Sequence, residues 1–284
     1  MPVDQARCND VFQKLGRQLT KAAKKPSPTN IHKLRTHCRR VETVLDRLVP
    51  APDRNTKKLI KLLTRLRKKA GKVRDLDVQS DALRGLKISQ SAHKSQLLKS
   101  LGSEREQRQK KFTQNLNRDT LLELTRRLKR TARRIEIPEG MEPLSAALEE
   151  FGHLERDRAP LSATKLHQYR IAGKQARYLV EMAQETREAG RVIAQLKRMQ
   201  DVVGDWHDWL ALTERGESLF GGVNDSALVA AMRNLTRAKF RQALDAVSEA
   251  KSVLAREKVG LVRVGGELAK SRGVYAASGT SAAA

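Results

Sequence analysis

Apolar residues recur every three or four positions along almost the whole chain, the spacing at which side chains share one face of an α-helix. The clearest seam runs Ile31, Leu34, Cys38, Val41, Leu45 and Leu48. A second runs Leu166, Tyr169, Gly173, Ala176 and Val180, and a third Leu59, Leu62, Leu66, Ala70 and Val73. No stretch alternates apolar and polar residues between hairpin turn signals, so the pattern predicts an all-α fold.

Helix boundaries are read from capping residues and breakers. Pro26 and Pro28 precede Thr29-Asn30, Pro50 and Pro52 precede Asp53 and Asn55, and Asp119-Thr120 precede Glu123. Gly102 stands before a Ser103-x-x-Glu106 capping box, which predicts a helix start there. Further breaks are expected at Pro138 to Pro143, at Pro160 to Thr164, and at Gly221, Gly222, Asn224 and Asp225. The tail, residues 273–284, has nothing to bury and is expected to be disordered.

Two landmarks recur in order. Ile31-His32-Lys33-Leu34-Arg35 matches Leu166-His167-Gln168-Tyr169-Arg170 at an offset of 135, and Gly71-x-x-Arg74-Asp75 matches Gly204-x-x-His207-Asp208 at an offset of 133. This predicts an internal duplication of two pseudo-symmetric bundles of about four helices each, residues 1–137 and 138–272.

Charge sharpens the picture. The 284 residues carry a formal net charge of +25 with 39% hydrophobic residues, too apolar for a disordered polycation. So much unbalanced charge on a folded chain points to a polyanionic partner. The cations are also placed in rows. His32, Arg35 and Arg39, with Arg40 beside them, fall one position after the first seam. His167, Arg170, Lys174 and Arg177 do the same after the second. One residue is about 100° of helix rotation, so these rows border the core. Lys58, Lys61, Arg65, Lys69 and Lys72 precede the third seam, with Lys68 a little further round, and no acid stands at i±4 to offset them. Arg191, Lys197 and Arg198 are a sparser counterpart in the second half. A positive groove or channel lined by several helices is the simplest common cause. Arg holds phosphate oxygens bidentately and Lys supplies mobile charge, a mixture suited to a repeating phosphate chain. A solvated outer face is the ordinary alternative for any single row. His32 and His167, each three residues before an Arg, are expected either to pack beside the core or to donate to phosphate.

The chain resembles the CHAD domain family, the conserved histidine α-helical domain. The resemblance rests on His32-x-x-Arg35-x-x-x-Arg39-Arg40 and His167-x-x-Arg170-x-x-x-Lys174-x-x-Arg177-Tyr178, together with Val73-Arg74-Asp75-Leu76-Asp77 and Trp206-His207-Asp208, and extends to about residue 270. It implies two four-helix bundles around a basic surface or pore, binding of inorganic polyphosphate, and association with polyphosphate granules. It also implies that His32, Arg35, Arg39, His167, Arg170, Lys174 and Arg177 are contacts, joined by the basic helix from Lys58 to Lys69. Glu42 stands in the place of Arg177 and Gln175 in that of Arg40, so the halves are expected to contribute unequally.

Other chemistry was weighed. Glu104-Arg105-Glu106-Gln107-Arg108 resembles the Glu-x-Glu-x-Lys strand of triphosphate-cleaving tunnels, but it sits in a helical pattern and cannot point alternate carboxylates together. Asp201, Asp205 and Asp208 share a helical face that could suggest a metal, although pairing with Arg170, Arg177 or Arg198 is the simpler expectation. The sequence has no Gly-rich phosphate loop, zinc spacing or nucleophile elbow, so no cofactor, metal or catalysis is expected. RNA or DNA is the alternative partner, and a polyphosphate-processing enzyme is a further one. Aromatic content of 4% counts against base stacking. Two cysteines, no apolar leader and no apolar run of about 18 residues make a reducing, cytoplasmic setting the expectation.

Overall fold

The computed structural model describes residues 3–88, 91–138, 140–154 and 160–277, with 261–277 described for the backbone alone. These residues form nine helices and no strand. They are α1 (Gln5–Lys24), α2 (Pro28–Arg47), α3 (Arg54–Gly85), α4 (Ala92–Asn115), α5 (Arg118–Arg134), α6 (Pro143–His153), α7 (Ala163–Val180), α8 (Arg187–Phe220) and α9 (Ala227–Ala277). The fold is all-α.

Most boundaries follow side-chain chemistry. Ser27, Asp53, Asn117, Ser162 and Thr186 each accept a hydrogen bond from the backbone N–H three residues on, satisfying a donor that the first helical turn leaves free. Pro28 and Pro143 occupy first-turn positions, where a missing N–H costs nothing. Gly221 ends α8 at φ 79°, a conformation that a Cβ would strain.

Two expectations are corrected. Gly102 and Ser103 lie inside α4, whose cap is Ser91 accepting from Lys94 N–H. Burial of Leu97 and Leu101, one turn apart and just before Gly102, carries the helix through the capping motif. The seam of α3 runs through Leu63, not Leu62: Leu59, Leu63, Leu66, Ala70 and Val73 are buried, and Leu62 is only partly so. Beyond Arg272 the backbone of α9 stays helical to Ala277, where no proline interrupts it, and the rest of the expected tail lies outside the described residues.

Helices α1, α2, α3 and α5 pack on one another, with α4 along α3. In residues 138–277, α6, α7 and α8 pack in sequence and α9, 51 residues long, covers all three. The first half therefore has five helices where about four were expected. Its covering layer is divided between α4 and α5 at Leu116-Asn117. Contacts between α2 and α7 and between α3 and α8 join the halves. One apolar cluster includes Leu34, Leu45 and Leu66 along with Leu166, Met199 and Val247. A second brings Leu76, Leu83, Leu97 and Leu101 against Trp209, Leu212 and Met232. Both cross the midpoint of the chain.

Candidate functional site

A cavity of about 510 Å³ opens where α2, α3, α7 and α8 meet. Helix α2 contributes His32, Arg35, Thr36 and Arg39, and α3 contributes Arg74, Asp75 and Val78. Helix α7 contributes Arg170, Lys174, Arg177 and Tyr178, and α8 contributes Lys197, Gln200, Asp201, Gly204, Asp205 and Asp208. Seven Lys and Arg thus face four Asp, and both matched landmarks of the sequence converge here. A second hollow of about 300 Å³ shares Arg39, Lys174 and Tyr178 with the first, so these three residues stand between two adjoining spaces.

The α2 and α7 seams set this geometry. Ile31, Leu34, Cys38, Val41, Leu45 and Leu48 are fully buried, and Leu166, Tyr169, Ala176 and Val180 nearly so. Rows one residue later must then emerge where the two helices face each other. Glycine permits the close approach: a Cβ on Gly173 would lie 2.3 Å from Met199 Cε, and Gln200 Nε2 donates to Gly173 O at 2.5 Å. Across the other pair, a Cβ on Gly71 would meet Arg35 Nε at 3.4 Å.

The cationic wall is poorly neutralised. Arg35 reaches Asp75 only at 3.7 Å. Arg39, Arg74, Arg170, Lys174 and Lys197 have no carboxylate within 4 Å among the described residues. The Nε atoms of Arg39 and Arg170 are buried without a hydrogen-bond partner, and a buried donor left so costs about 1–3 kcal/mol. Arg177 lies 3.5 Å from Glu181 and over the ring of Tyr178 at 5.0 Å. Burial, then the charges of Arg170, Arg39 and Arg35, pulls the Lys174 amine down to about 6. Burial with Arg35 and Arg67 brings Arg39 down to about 10, and burial also lowers Arg170. His32 is lowered by burial, Arg74 and Arg35, and His167 by burial, His207 and Arg170, which favours neutral rings at pH 7. An anion entering this space would oppose the lowering of Lys174, Arg39, Arg170 and His32.

Several expected contacts lie elsewhere. His167 is exposed and stacks on His207, ring centroids 5.7 Å apart, without lining the cavity. Arg40, about 100° beyond Arg39, turns away to Glu181 at 2.8 Å. Arg198 is exposed and pairs with Glu249 at 2.7 Å. Lys58, Lys61, Arg65, Lys68 and Lys69 do not line the cavity. With Leu63 in the seam, 100° per residue puts Lys61 and Lys68 nearly opposite the core of α3, and Lys58, Arg65 and Lys69 about 80–120° from it on the side away from Arg74 and Val78. Two of the α3 cations have partners from other helices, Lys58 with Glu123 at 3.2 Å and Arg67 with Glu42. Glu42 is buried and also accepts from Thr64 at 2.6 Å.

Arg74, Tyr178, Gln200 and the carboxylates of Asp75, Asp201, Asp205 and Asp208 were not among the expected site residues. The Arg74-Asp75 and His207-Asp208 landmarks were the available signal, since a recurrent polar pair beside a seam marks a shared position. Asp205 pairs with Lys239 at 2.7 Å, not with the arginines expected. Among the described residues no three metal-ligating groups come together. Glu104 lies on a helix and accepts from Arg108 at 3.0 Å and Arg215 at 2.6 Å, which leaves no carboxylate pair of the strand-borne tunnel kind. No described helix is long and apolar enough to cross a membrane.

Fold and site together define an all-helical protein built around an internal cationic cavity. The profile of the CHAD domain matches residues 7–217, and the chain belongs to that family. The match includes every cavity-lining residue and stops inside α8. The crystal structure of the CHAD domain from the plant Ricinus communis superposes with a TM-score of 0.66 at 16% identity, covering 88% of this chain and 90% of that one. PptA from Streptomyces chartreusis gives 0.61 at 11% identity, covering 90% and 99%. These two likenesses concern the fold. No curated protein sequence matches the chain.

Proposed function

We propose that this protein binds linear inorganic polyphosphate in the cavity between α2, α3, α7 and α8, without processing it, and that it associates with polyphosphate granules. The observation that carries the reading is the convergence of Arg39, Arg170 and Lys174, half-buried and each without a carboxylate within 4 Å among the described residues, from two helices far apart in sequence. Crowded cations with empty donors destabilise a folded chain and are offset when anionic oxygens fill the space. A bare phosphate chain supplies those oxygens without bases or sugars. The one aromatic ring in the wall, Tyr178, is buried and has guanidinium groups of Arg177 and Arg40 over it, so it offers no face to a nucleobase. Membership of the CHAD family, which is associated with polyphosphate-related proteins, supports the same ligand.

Competition at fixed ionic strength tests the reading. Long-chain polyphosphate is expected to displace a fluorescent polyanion at lower concentration than RNA or DNA of equal total charge. A preference for nucleic acid rejects it. Release of orthophosphate from polyphosphate incubated with the protein and Mg²⁺ would instead make it an enzyme.

A further inference from the structure

We propose that the phosphate chain held in the cavity continues outside it along α3, over an exposed track of cations that ends in a second basic hollow at the start of that helix. This extends the reading above and rests on it.

A straight α-helix drifts only about 20° over seven residues, so positions seven apart form a nearly straight line on its surface. Asp75 lines the cavity, and seven-residue steps back from it give Lys68, Lys61 and Arg54. The neighbouring line is Lys72, Arg65 and Lys58. All six cations are exposed, and among the described residues only Lys58 has a carboxylate within 4 Å. At 1.5 Å per residue the double row from Lys72 to Arg54 is about 27 Å long. Like charges stacked along a helix weaken it, and nothing within the described chain offsets five of the six.

The row leads somewhere at each end. Its upper end meets the cavity wall at Asp75, the next position on the Lys68 line. Its lower end reaches a hollow of about 400 Å³ where Arg54 and Lys58 of α3 are joined by Arg127 and Arg130 of α5. Charge is distributed to match. Residues 1–137 hold 36 Lys and Arg against 13 Asp and Glu, a net of +23, whereas the remainder holds 21 against 19, a net of +2. Nearly all the excess charge of the molecule thus belongs to the half that carries the track.

Continuity with the cavity selects the occupant. A duplex, whose major groove alone is about 12 Å wide, cannot pass from this outer face into a space of about 510 Å³. An unbranched phosphate chain can. Two sections of one ligand then differ in kind: the cavity holds a short stretch in half-buried arginines, and the track adds solvent-screened contacts that only a longer chain can reach. The consequence is selection for chain length.

The test compares tripolyphosphate, too short for both sections, with long-chain polyphosphate over a salt series. The protein is used as wild type and as a Lys61→Gln, Arg65→Gln, Lys68→Gln, Lys72→Gln variant. Gln resembles Lys and Arg in helix propensity, so the variant should keep its helical circular dichroism. Losing four contacts should reduce the slope of log K against log salt for the long chain by roughly 3, at about 0.7 per contact with a single strand. Tripolyphosphate binding should fall much less. Equal losses for both lengths would mean that general charge, and no track, is at work. An unchanged long-chain affinity would also overturn the proposal while leaving the cavity reading intact. If RNA of equal charge loses affinity and polyphosphate does not, the track serves nucleic acid and the proposal fails. If the wild type binds neither polyphosphate, the cavity reading itself falls.

Discussion

Lys174 concentrates the chemistry of the cavity into one amine. Its pKa of about 6 lies far below the usual lysine value because burial and three arginines disfavour its charge. The unfolded chain therefore binds a proton that the empty folded one refuses between about pH 10 and 6, so stability rises with pH through that window and levels off below it. Lys174→Met removes this penalty while keeping the side chain long. At pH 7 the unliganded variant should melt higher than wild type, by about 2–4 °C for each kcal/mol relieved, and should bind polyphosphate more weakly. Thermal shifts with and without ligand at several pH values check both; a variant that melts lower would place Lys174 in a supporting role. Bound phosphate should also restore the proton. Calorimetry in buffers of different ionisation enthalpy should then show proton uptake on binding at pH 7, reduced in the variant, with wild-type affinity rising as pH falls towards 6. His32, which lines the cavity and is held low, would add to that uptake. Direction matters as much as charge. Arg39→Gln or Arg170→Gln should cost about 1.5–3 kcal/mol, the worth of a charged hydrogen bond, or roughly tenfold to a hundredfold in affinity. Lys33→Gln, exposed and outside the cavity, should cost far less, and equal losses in a binding titration would contradict an organised site.

At the scale of the helix, the caps decide where the cationic rows point. Ser162 begins α7 through Lys165 N–H, and Ser27 begins α2 through Asn30 N–H. Ser162→Ala should lower stability by about 1 kcal/mol, visible as a lower urea midpoint with an unchanged slope. Sequence reading succeeded for α2 and α7, where six and five apolar positions keep one period without ambiguity. It failed in α3 because Leu62 and Leu63 are neighbours and only packing chooses between them. With Leu62 out of the seam, Lys61 turns outward, and the rest of the row flanks the core on the side of α3 away from Arg74 and Val78. Gly102-Ser103 misled for a different reason: a capping motif is a local signal, and burial of Leu97 and Leu101 against the Trp209 cluster outweighs it. The acidic side of the cavity, Asp201, Asp205 and Asp208, was visible as one helical face, but what that face looks onto depends on contacts between α3 and α8 that no local pattern encodes.

Over the whole molecule, a formal charge of +25 works against compaction and the shared apolar clusters work for it. Added NaCl should therefore raise the melting temperature of the unliganded protein by screening repulsion, and polyphosphate should raise it further by binding the folded state alone. At saturating polyphosphate the salt effect should change sign, because salt then competes with the ligand. A melting temperature that salt lowers without ligand would show that the excess charge is already neutralised within the chain.

The clusters that cross from one half to the other bear on how the cavity can be filled. Leu34 and Leu66 belong to the same packed body as Leu166 and Met199, so α2 and α7 cannot swing apart like jaws without tearing it open. A polymer bound there would have to feed in through the existing opening of the cavity, end first or as a loop, and leave the same way. Slow release of long chains and quick release of short ones would be the signature of so rigid a doorway.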